Sequence, residues 1–319
     1  MSNYNVLVTG GAGFIGSNLV EKLLSLENVK KVRVLDNLST GKMENIQEFD
    51  SNPKFEFLKG DIRDFDTCIK ACQEIQVITH QAALGSVPRS INDPVTTNAV
   101  NISGTLNIFT AAKELGIKRV VYAASSSTYG DSPSLPKVED KIGNPLSPYA
   151  ITKYVNELYA DVFAKLYGME IIGLRYFNVF GPKQNPKGAY AAVIPLFMQA
   201  VIDDQPPKIN GDGEQSRDFT FVENAVQANL KALFTENSEA VNQVYNVACG
   251  ERTTLNELFQ FIVEVAEKKD IKPVYGPSRQ GDVKHSLADV SKGDKLLGYQ
   301  PEVMIKEGLK KAFQWYKNQ

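Results

Sequence analysis

The strongest constraint on how this chain can fold is an alternation running through its first half. Short apolar runs at Asn5–Thr9, Val32–Asp36, Phe55–Lys59, Val77–His80 and Val120–Ala124 read as strands. Between them lie helical patterns at Ile15–Ser25, Phe65–Gln73, Thr96–Leu115 and Tyr149–Tyr167. The strand runs are continuously apolar rather than alternating, as strands covered on both faces must be. Strand–helix alternation at this spacing predicts βαβ units, hence a doubly wound parallel sheet with helices on both faces.

After one more strand candidate, Glu170–Tyr176, the texture changes. Residues 178–222 carry Pro182, Pro186, Pro195, Pro206 and Pro207, with Gly181, Gly188, Gly211 and Gly213, around one apolar helix near Ala191–Ile202. Val244–Ala248 reads as a buried strand returning to the main sheet, and amphipathic helices follow at Leu255–Lys268 and Ile305–Lys317. The expected organisation is a Rossmann-type α/β domain over 1–177, with a return segment near 220–248. A smaller, loop-rich α/β domain over 178–319 interleaves with it.

Composition narrows the chemistry by exclusion. The chain has 35 Lys and Arg against 37 Asp and Glu, which argues against a basic face for nucleic acid. Three cysteines and two histidines, with no paired ligand spacing, predict neither a disulfide framework nor a metal site. The stretch Pro94–Ala112 is uncharged but too rich in Thr, Asn, Ser and Gly to insert in a membrane. Met1 leads into Asn5–Val8 with no basic region before it, so no signal peptide is expected and a cytoplasmic location is. His80 and Cys249 read as structural, and His285 as a neighbour of the substrate side.

The first strand runs straight into Gly10-Gly11-Ala12-Gly13-Phe14-Ile15-Gly16 and then a helix. Glycines there let backbone N–H groups approach a pyrophosphate at the positive helix end. Asp36 ends the second strand twenty residues after Gly16, where a carboxylate accepts from ribose hydroxyls and repels a 2′-phosphate, favouring NAD. Asp61 and Ile62, after the third strand, are placed to flank the adenine. Tyr149 and Lys153, four apart behind the helix-start pair Ser147-Pro148, share one helix face. A cation beside the phenol is expected to lower its pKa toward general-base use. Ser125, Ser126 and Ser127 lie at the carboxyl end of the fifth strand, the edge where open α/β sheets bind ligands.

Together these features resemble the extended short-chain dehydrogenases/reductases, and most closely the nucleotide-sugar 4-epimerases of the UDP-glucose/UDP-N-acetylglucosamine type. The resemblance covers nearly the whole chain, continuing through Asn101–Thr105, Arg175-Tyr176-Phe177-Asn178, Gly211–Phe219 and Arg279-Gln280-Gly281-Asp282. It implies that NAD is held by Gly10, Gly13, Phe14, Ile15, Gly16, Asp36, Asn37, Asp61, Ile62, Gln81, Ala82, Ala83, Asn101, Tyr149, Lys153 and Tyr176. It implies a UDP-sugar held by Gly85, Ser86, Ser125, Asn178, Ala192, Val193, Arg217, Arg279, Asp282 and Ser286. Counting back from Tyr129-Gly130, Ser125 aligns best with the family's serine, with Ser126 or Ser127 able to share the role.

The implied reaction removes hydride from C4 of the sugar while Tyr149 takes the hydroxyl proton, then returns the hydride to the other face. Relatives that are 4,6-dehydratases or UDP-glucuronate decarboxylases carry an acid after the serine or threonine. Here Ser125 to Gly130 reads Ser-Ser-Ser-Thr-Tyr-Gly. A non-catalytic, NAD-sensing member of the fold would be expected to lose the Tyr/Lys pair. Gly85-Ser86 stand where plain glucose/galactose epimerases tend to carry lysine, and Ser286 where non-acetylated specialists carry an aromatic. The runs Ala83–Ser90 and Gly188–Pro195 resemble UDP-N-acetylglucosamine 4-epimerases of bacterial surface-polysaccharide pathways. The resemblance also implies a homodimer through the helices Thr96–Leu115 and Tyr149–Tyr167. The first of these shows an apolar stripe, Val95, Ala99, Ile102, Leu106 and Phe109, expected to face the sheet.

Overall fold

A computed structural model describes residues 3–186, 191–277 and 284–319. Seven strands form one parallel sheet in the order β11-β6-β5-β4-β1-β2-β3. Their ranges are β1 Tyr4–Thr9, β2 Val29–Asp36, β3 Phe55–Lys59, β4 Val77–His80, β5 Arg119–Ser125, β6 Glu170–Tyr176 and β11 Val244–Val247. Short strands β7 (Val179–Phe180) to β10 (Thr220–Phe221), with β8 (Lys208–Asn210), β9 (Ser216–Arg217), β12 (Thr253–Thr254) and β13 (Val274–Gly276), form three two-stranded pairs outside it. The strand order reverses between β1 and β4, the switch point beside which such sheets bind ligands.

Strand pleating explains the layers. Val6 and Val8 point to one face and pack with α1 (Phe14–Leu24) and α8 (Val222–Phe234). Leu7 points to the other, with α2 (Phe65–Cys72), α5 (Thr105–Glu114) and α6 (Pro148–Tyr167). A third cluster holds α7 (Val193–Ile202), α9 (Leu255–Ala266) and α11 (Ile305–Lys317) through Phe197, Phe259, Ile262, Leu309 and Phe313. The returning strand pairs with β6 in register Val244↔Gly173 to Val247↔Tyr176.

Three helical stretches depart from the sequence reading. The helix α8 has no counterpart in it because its buried face includes Asn224 and Asn229, which blur the apolar period. Both are fully bonded inside, Asn224 donating to the Val303 carbonyl at 2.7 Å and Asn229 to that of Ala225 at 2.7 Å. The expected continuous helix Thr96–Leu115 is instead segmented. Short helices α3 (Val87–Asn92) and α4 (Pro94–Asn98) lead into a wider π-type turn, Ala99–Gly104, before α5. That turn rotates the upstream residues, so the expected apolar stripe holds only beyond it. Phe109 is buried and Leu106 packs on the same core cluster, while Val95 is 77% exposed and Thr97, Asn101 and Thr105 are buried instead. A short helix α10 (Ser291–Leu297) was likewise not anticipated.

Candidate active site

A cleft of about 960 Å³ lies along the carboxyl ends of the sheet strands. At its floor, Gly10 has φ +69° and donates to the Leu35 carbonyl at 2.8 Å. A Cβ on Gly10 would lie 2.7 Å from the Ala82 backbone, and one on Gly16 would lie 2.1 Å from the Gly10 carbonyl oxygen. The loop is therefore packed backbone on backbone, with no side chain between it and the start of α1. Gly13, at the N-cap of α1, leaves that positive helix end without a side-chain cap.

Asp36 lines the cleft from the end of β2. Its carboxylate accepts from the backbone N–H of Ala12 at 3.0 Å and of Leu38 at 2.8 Å, which fixes its orientation. Burial pushes its carboxyl above the ordinary value, against these two bonds. Asn37 donates to Asp61 at 2.8 Å, and Arg63 holds the Asp61 carboxyl down to about 2. An uncapped helix start beside two carboxylates in one cleft fits the pyrophosphate and ribose of a dinucleotide.

The helix that carries Tyr149 and Lys153 begins cleanly. Ser147 accepts from the Ala150 N–H at 3.1 Å, Pro148 fills the first turn and Gly168 ends the helix left-handed. Lys153 donates to the Ala123 carbonyl at 2.7 Å and stands 5.9 Å from the Tyr149 ring centroid. Ser125 hydrogen-bonds the Tyr149 phenol and accepts from the N–H and hydroxyl of Ser127 at 3.1 and 2.9 Å. With its acceptor sites so used, the Ser125 hydroxyl has its single hydrogen left to donate to the Tyr149 oxygen. Burial pushes Tyr149 above the ordinary phenol value while the Ser125 bond lowers it. Burial brings Lys153 down to about 8. The expectation that a cation beside the phenol lowers its pKa is thus corrected: burial raises Tyr149, and the group that opposes this is Ser125.

The cleft gathers most of the expected residues. Gly10, Gly13, Phe14, Ile15, Gly16, Asp36, Asn37, Asp61, Ile62, Gln81, Ala82, Ala83, Gly85, Ser86, Ser125, Ser126, Tyr149, Lys153, Tyr176, Asn178, Ala192 and Val193 all line it. Ser127 does not; it orients Ser125. Asn101 does not either, because it points inward from the π-type turn. Its side chain accepts from Leu84 N–H at 2.8 Å, donates to the Leu84 carbonyl at 3.2 Å and reaches Thr152 at 3.1 Å. Arg217 and Ser286 are not in its lining: the Ser286 N–H donates to the Ser216 carbonyl at 3.0 Å, and the adjoining Ser216, Lys284 and His285 line a separate pocket. Arg279 and Asp282, and Gly188–Tyr190 of the second run, fall outside the described residues.

Asn178 is held left-handed (φ +36°) and donates to the Asp218 carbonyl at 2.9 Å. The Asp218 carboxylate in turn ties down Cys249, Gly250 and Ala288 through their N–H groups at 2.9, 3.0 and 3.2 Å. His80 bridges Thr9 at 2.7 Å and Thr105 at 2.9 Å, and burial drives its pKa down to about 3. His285 faces Ser216 at 2.9 Å, and Cys249 is buried. Ser39, Thr40, Pro88, Leu196 and Asn210 line the cleft without having been singled out. Ser39 and Thr40 follow the strand that ends in Asp36, a usable signal; Asn210 carries none. No group of three or more His, Cys, Asp or Glu able to hold a metal occurs among the described residues.

A parallel sheet with a glycine-lined helix start, an acidic second strand and a Ser–Tyr–Lys set facing one cleft defines a dinucleotide-dependent enzyme. The chain belongs to the NAD dependent epimerase/dehydratase family, whose model matches residues 6–248. NAD is its cofactor. It is 42% identical to a putative UDP-glucose 4-epimerase of Methanocaldococcus jannaschii over 316 residues, 98% of each chain. A solved UDP-N-acetylglucosamine 4-epimerase from Methanobrevibacter ruminantium, in complex with UDP-N-acetylmuramic acid, superposes with TM-score 0.92 at 42% identity, covering 99% of both chains. A UDP-glucuronic acid 4-epimerase from Bacillus cereus, with UDP-glucuronic acid and NAD, superposes with TM-score 0.91 at 32% identity, covering 98% of this chain and 99% of that one.

Proposed function

We propose that this enzyme epimerises UDP-sugars at C4, with the UDP-GlcNAc/UDP-GalNAc pair preferred and UDP-Glc/UDP-Gal poorer. The observation that carries the reading is the Ser125–Tyr149–Lys153 set in the same cleft as the glycine loop and Asp36, with no carboxylate between Ser125 and Gly130. NAD, held by the glycine loop, Asp36 and Lys153, supplies a hydride acceptor that also returns the hydride. Tyr149 as phenolate accepts the proton of the sugar 4-hydroxyl, and Ser125 donates to the same oxygen. Lys153 balances the phenolate charge. Tyr149 then gives the proton back once the opposite sugar face is presented, so no net redox change results.

Elimination of water or carbon dioxide requires a further acid/base that the Ser125–Gly130 turn does not carry. The acetylated preference rests on Ser286 and Gly85-Ser86, small where related specialists are larger, and on the relative that acts on UDP-N-acetylglucosamine. A mass spectrum of the product tests the reaction class: unchanged mass with a changed sugar supports epimerisation, and loss of water or carbon dioxide overturns it. Comparing kcat/KM for the two pairs tests the substrate, and a preference for UDP-Glc sinks the acetylated assignment. Ser286→Tyr is expected to lower turnover of the acetylated pair selectively; equal loss on both pairs removes Ser286 from specificity.

A homodimer belongs to the same proposal. Ile151, Leu158, Val162 and Leu166 of α6 form an exposed apolar stripe at helical spacing, with Val95 and Ile91 exposed nearby. A monomer in sedimentation equilibrium counts against it. None of the described helices is long and apolar enough to cross a membrane.

A further inference from the structure

The face of α6 that carries Tyr149 and Lys153 carries a third ionisable side chain. Glu157 follows Lys153 by four residues, as Lys153 follows Tyr149, so the three stand one turn apart along one face. Arg175 of β6 grips both Glu157 oxygens, Nε to Oε1 at 2.9 Å and Nη2 to Oε2 at 2.7 Å. The two side chains are only 7% and 4% exposed. Arg175 is itself fixed, donating to the Glu139 carbonyl at 2.9 Å and lying 4.8 Å from the Tyr129 ring centroid. Thr128 also donates to Glu157 Oε1, at 3.4 Å.

Stability alone is a poor reason to hold such a pair there. Two charges withdrawn from water are often replaced by apolar residues at no cost to the fold. What the pair does supply is an immobile carboxylate beside Lys153. The groups that face this end of the helix are Tyr149 and Glu157 on α6, His80 on β4, Tyr122 and Ser125 on β5, and Arg175 on β6. His80 is neutral at working pH, its pKa driven down to about 3, and Tyr122 is held protonated by burial. The carboxylate of that set that acts on Lys153 is Glu157; Glu139 faces Arg175 and Tyr129 beyond it and accepts from the Asn246 N–H at 2.9 Å. Glu157 is the charge that opposes the burial of Lys153, whose pKa stands at about 8.

We infer that Glu157, fixed by Arg175, is a positioning residue whose charge keeps Lys153 protonated while Tyr149 works as the base. The inference rests on the proposed role of Tyr149, and it concerns a group that does not touch the substrate. Lys153 neutral cannot balance a phenolate, so activity must fall on the alkaline side as Lys153 loses its proton.

The test uses the NAD-loaded enzyme with lysine isotope-labelled at the ε-carbon, and reads the Lys153 titration midpoint by NMR beside the pH profile of kcat. Glu157→Gln, nearly isosteric, is expected to lower the midpoint and move the alkaline limb of kcat to lower pH. Near pH ~8 the loss in kcat is roughly tenfold, with KM held within about twofold. Glu157→Asp keeps the charge while disturbing the packing more, and is expected to restore the midpoint and the limb. The double variant Glu157→Met with Arg175→Met removes the pair as one apolar unit; it is expected to fold and to show the low midpoint of Glu157→Gln. An unmoved midpoint in Glu157→Gln or in the double variant overturns the inference. So does a Glu157→Asp enzyme more impaired than Glu157→Gln. Should the wild type fail to epimerise UDP-sugars, the functional proposal falls while the NMR midpoint still decides the role of Glu157.

Discussion

The two halves of the cleft are built on different principles. The cofactor half takes its residues from the ends of three adjacent strands, with Gly10–Gly16 after β1, Asp36 on β2 and Asp61 after β3. Its bonds run between the ends of these neighbouring strands, as Asp36 is held by Ala12, 24 residues before it, and by Leu38, two after it. The half proposed for the sugar draws on Gly85 and Ser86 and, from separate segments of the second half of the chain, on Asn178, Val193, Leu196 and Asn210. Its frame is long-range: Asn178 leans on Asp218, which pins Cys249, Gly250 and Ala288. The proposed assignment thus puts cofactor binding on the half joined by neighbouring strands, and substrate choice on the half whose frame gathers segments spread over the second half of the chain.

The comparison breaks first at the seam, where the reacting groups serve both halves. Tyr149→Phe removes the proton acceptor and leaves the trough for the dinucleotide intact. A kcat loss of about 10³-fold is expected on every UDP-sugar, with bound NAD per chain unchanged. Single-turnover assays with each sugar and release of NAD by denaturation check it. Retained turnover, or a loss confined to one sugar, takes Tyr149 out of its role.

Gly16→Ala strikes the cofactor half alone. Its Cβ would stand 2.1 Å from the Gly10 carbonyl oxygen, and backbone must move to relieve that. Overpacking of this kind costs about 3 kcal/mol, which here is expected as a roughly 100-fold loss of NAD affinity together with a lower melting temperature. Calorimetric NAD titration of the variant checks it, and unchanged affinity would mean that the loop has slack that the packing does not show.

These contrasts track what was legible in the sequence. The glycine loop, Asp36 and the Tyr149–Lys153 pair announce themselves because strand, turn and helix impose fixed spacings over short stretches. The helix α8 did not, since Asn224 and Asn229 are buried by hydrogen bonding rather than by apolarity. The helical stretch around Asn101 misled for a related reason: a π-type turn breaks the 3.6-residue period on which stripe counting relies. Asn210 reaches the cleft from a two-stranded pair formed with Val274–Gly276, which no local pattern foretells. Glu157 was legible, being one more step of four along the Tyr149–Lys153 face, but only a structure shows Arg175 holding it.

A smaller effect probes the seam through pH. His80 joins the strand before the glycine loop to α5, bridging Thr9 and Thr105 as a neutral ring, with its pKa driven to about 3 by burial. The unfolded chain takes up a proton near pH ~6.5 and the folded one does not, so this group's contribution falls as pH drops from ~6.5 toward 3. Each pH unit in that window costs about 1.4 kcal/mol. The stability gap between wild type and His80→Asn is therefore expected to narrow by about 2 kcal/mol between pH 7 and pH 5. Denaturant unfolding of both proteins at the two pH values checks the sign. A constant gap would show that the ring is already charged, and that the link between the loop and α5 is not the neutral bridge its bonds imply.

The smallest effect comes from the sugar half's own glycine. Gly85 lines the cleft, and a Cβ added there meets nothing within 4 Å. Its φ is not in the left-handed range, so alanine brings no backbone strain. Gly85→Ala is expected to leave NAD binding unchanged and to alter kcat/KM by less than about threefold, any change falling on the bulkier acetylated sugar. The same one-methyl addition thus separates the halves, ruinous where backbone packs on backbone and nearly silent where the cleft keeps room for substrate. A Gly85→Ala enzyme as damaged as Gly16→Ala would show that the sugar half is as tightly fitted as the cofactor half. Specificity would then rest on a rigid mould rather than on space left by small residues.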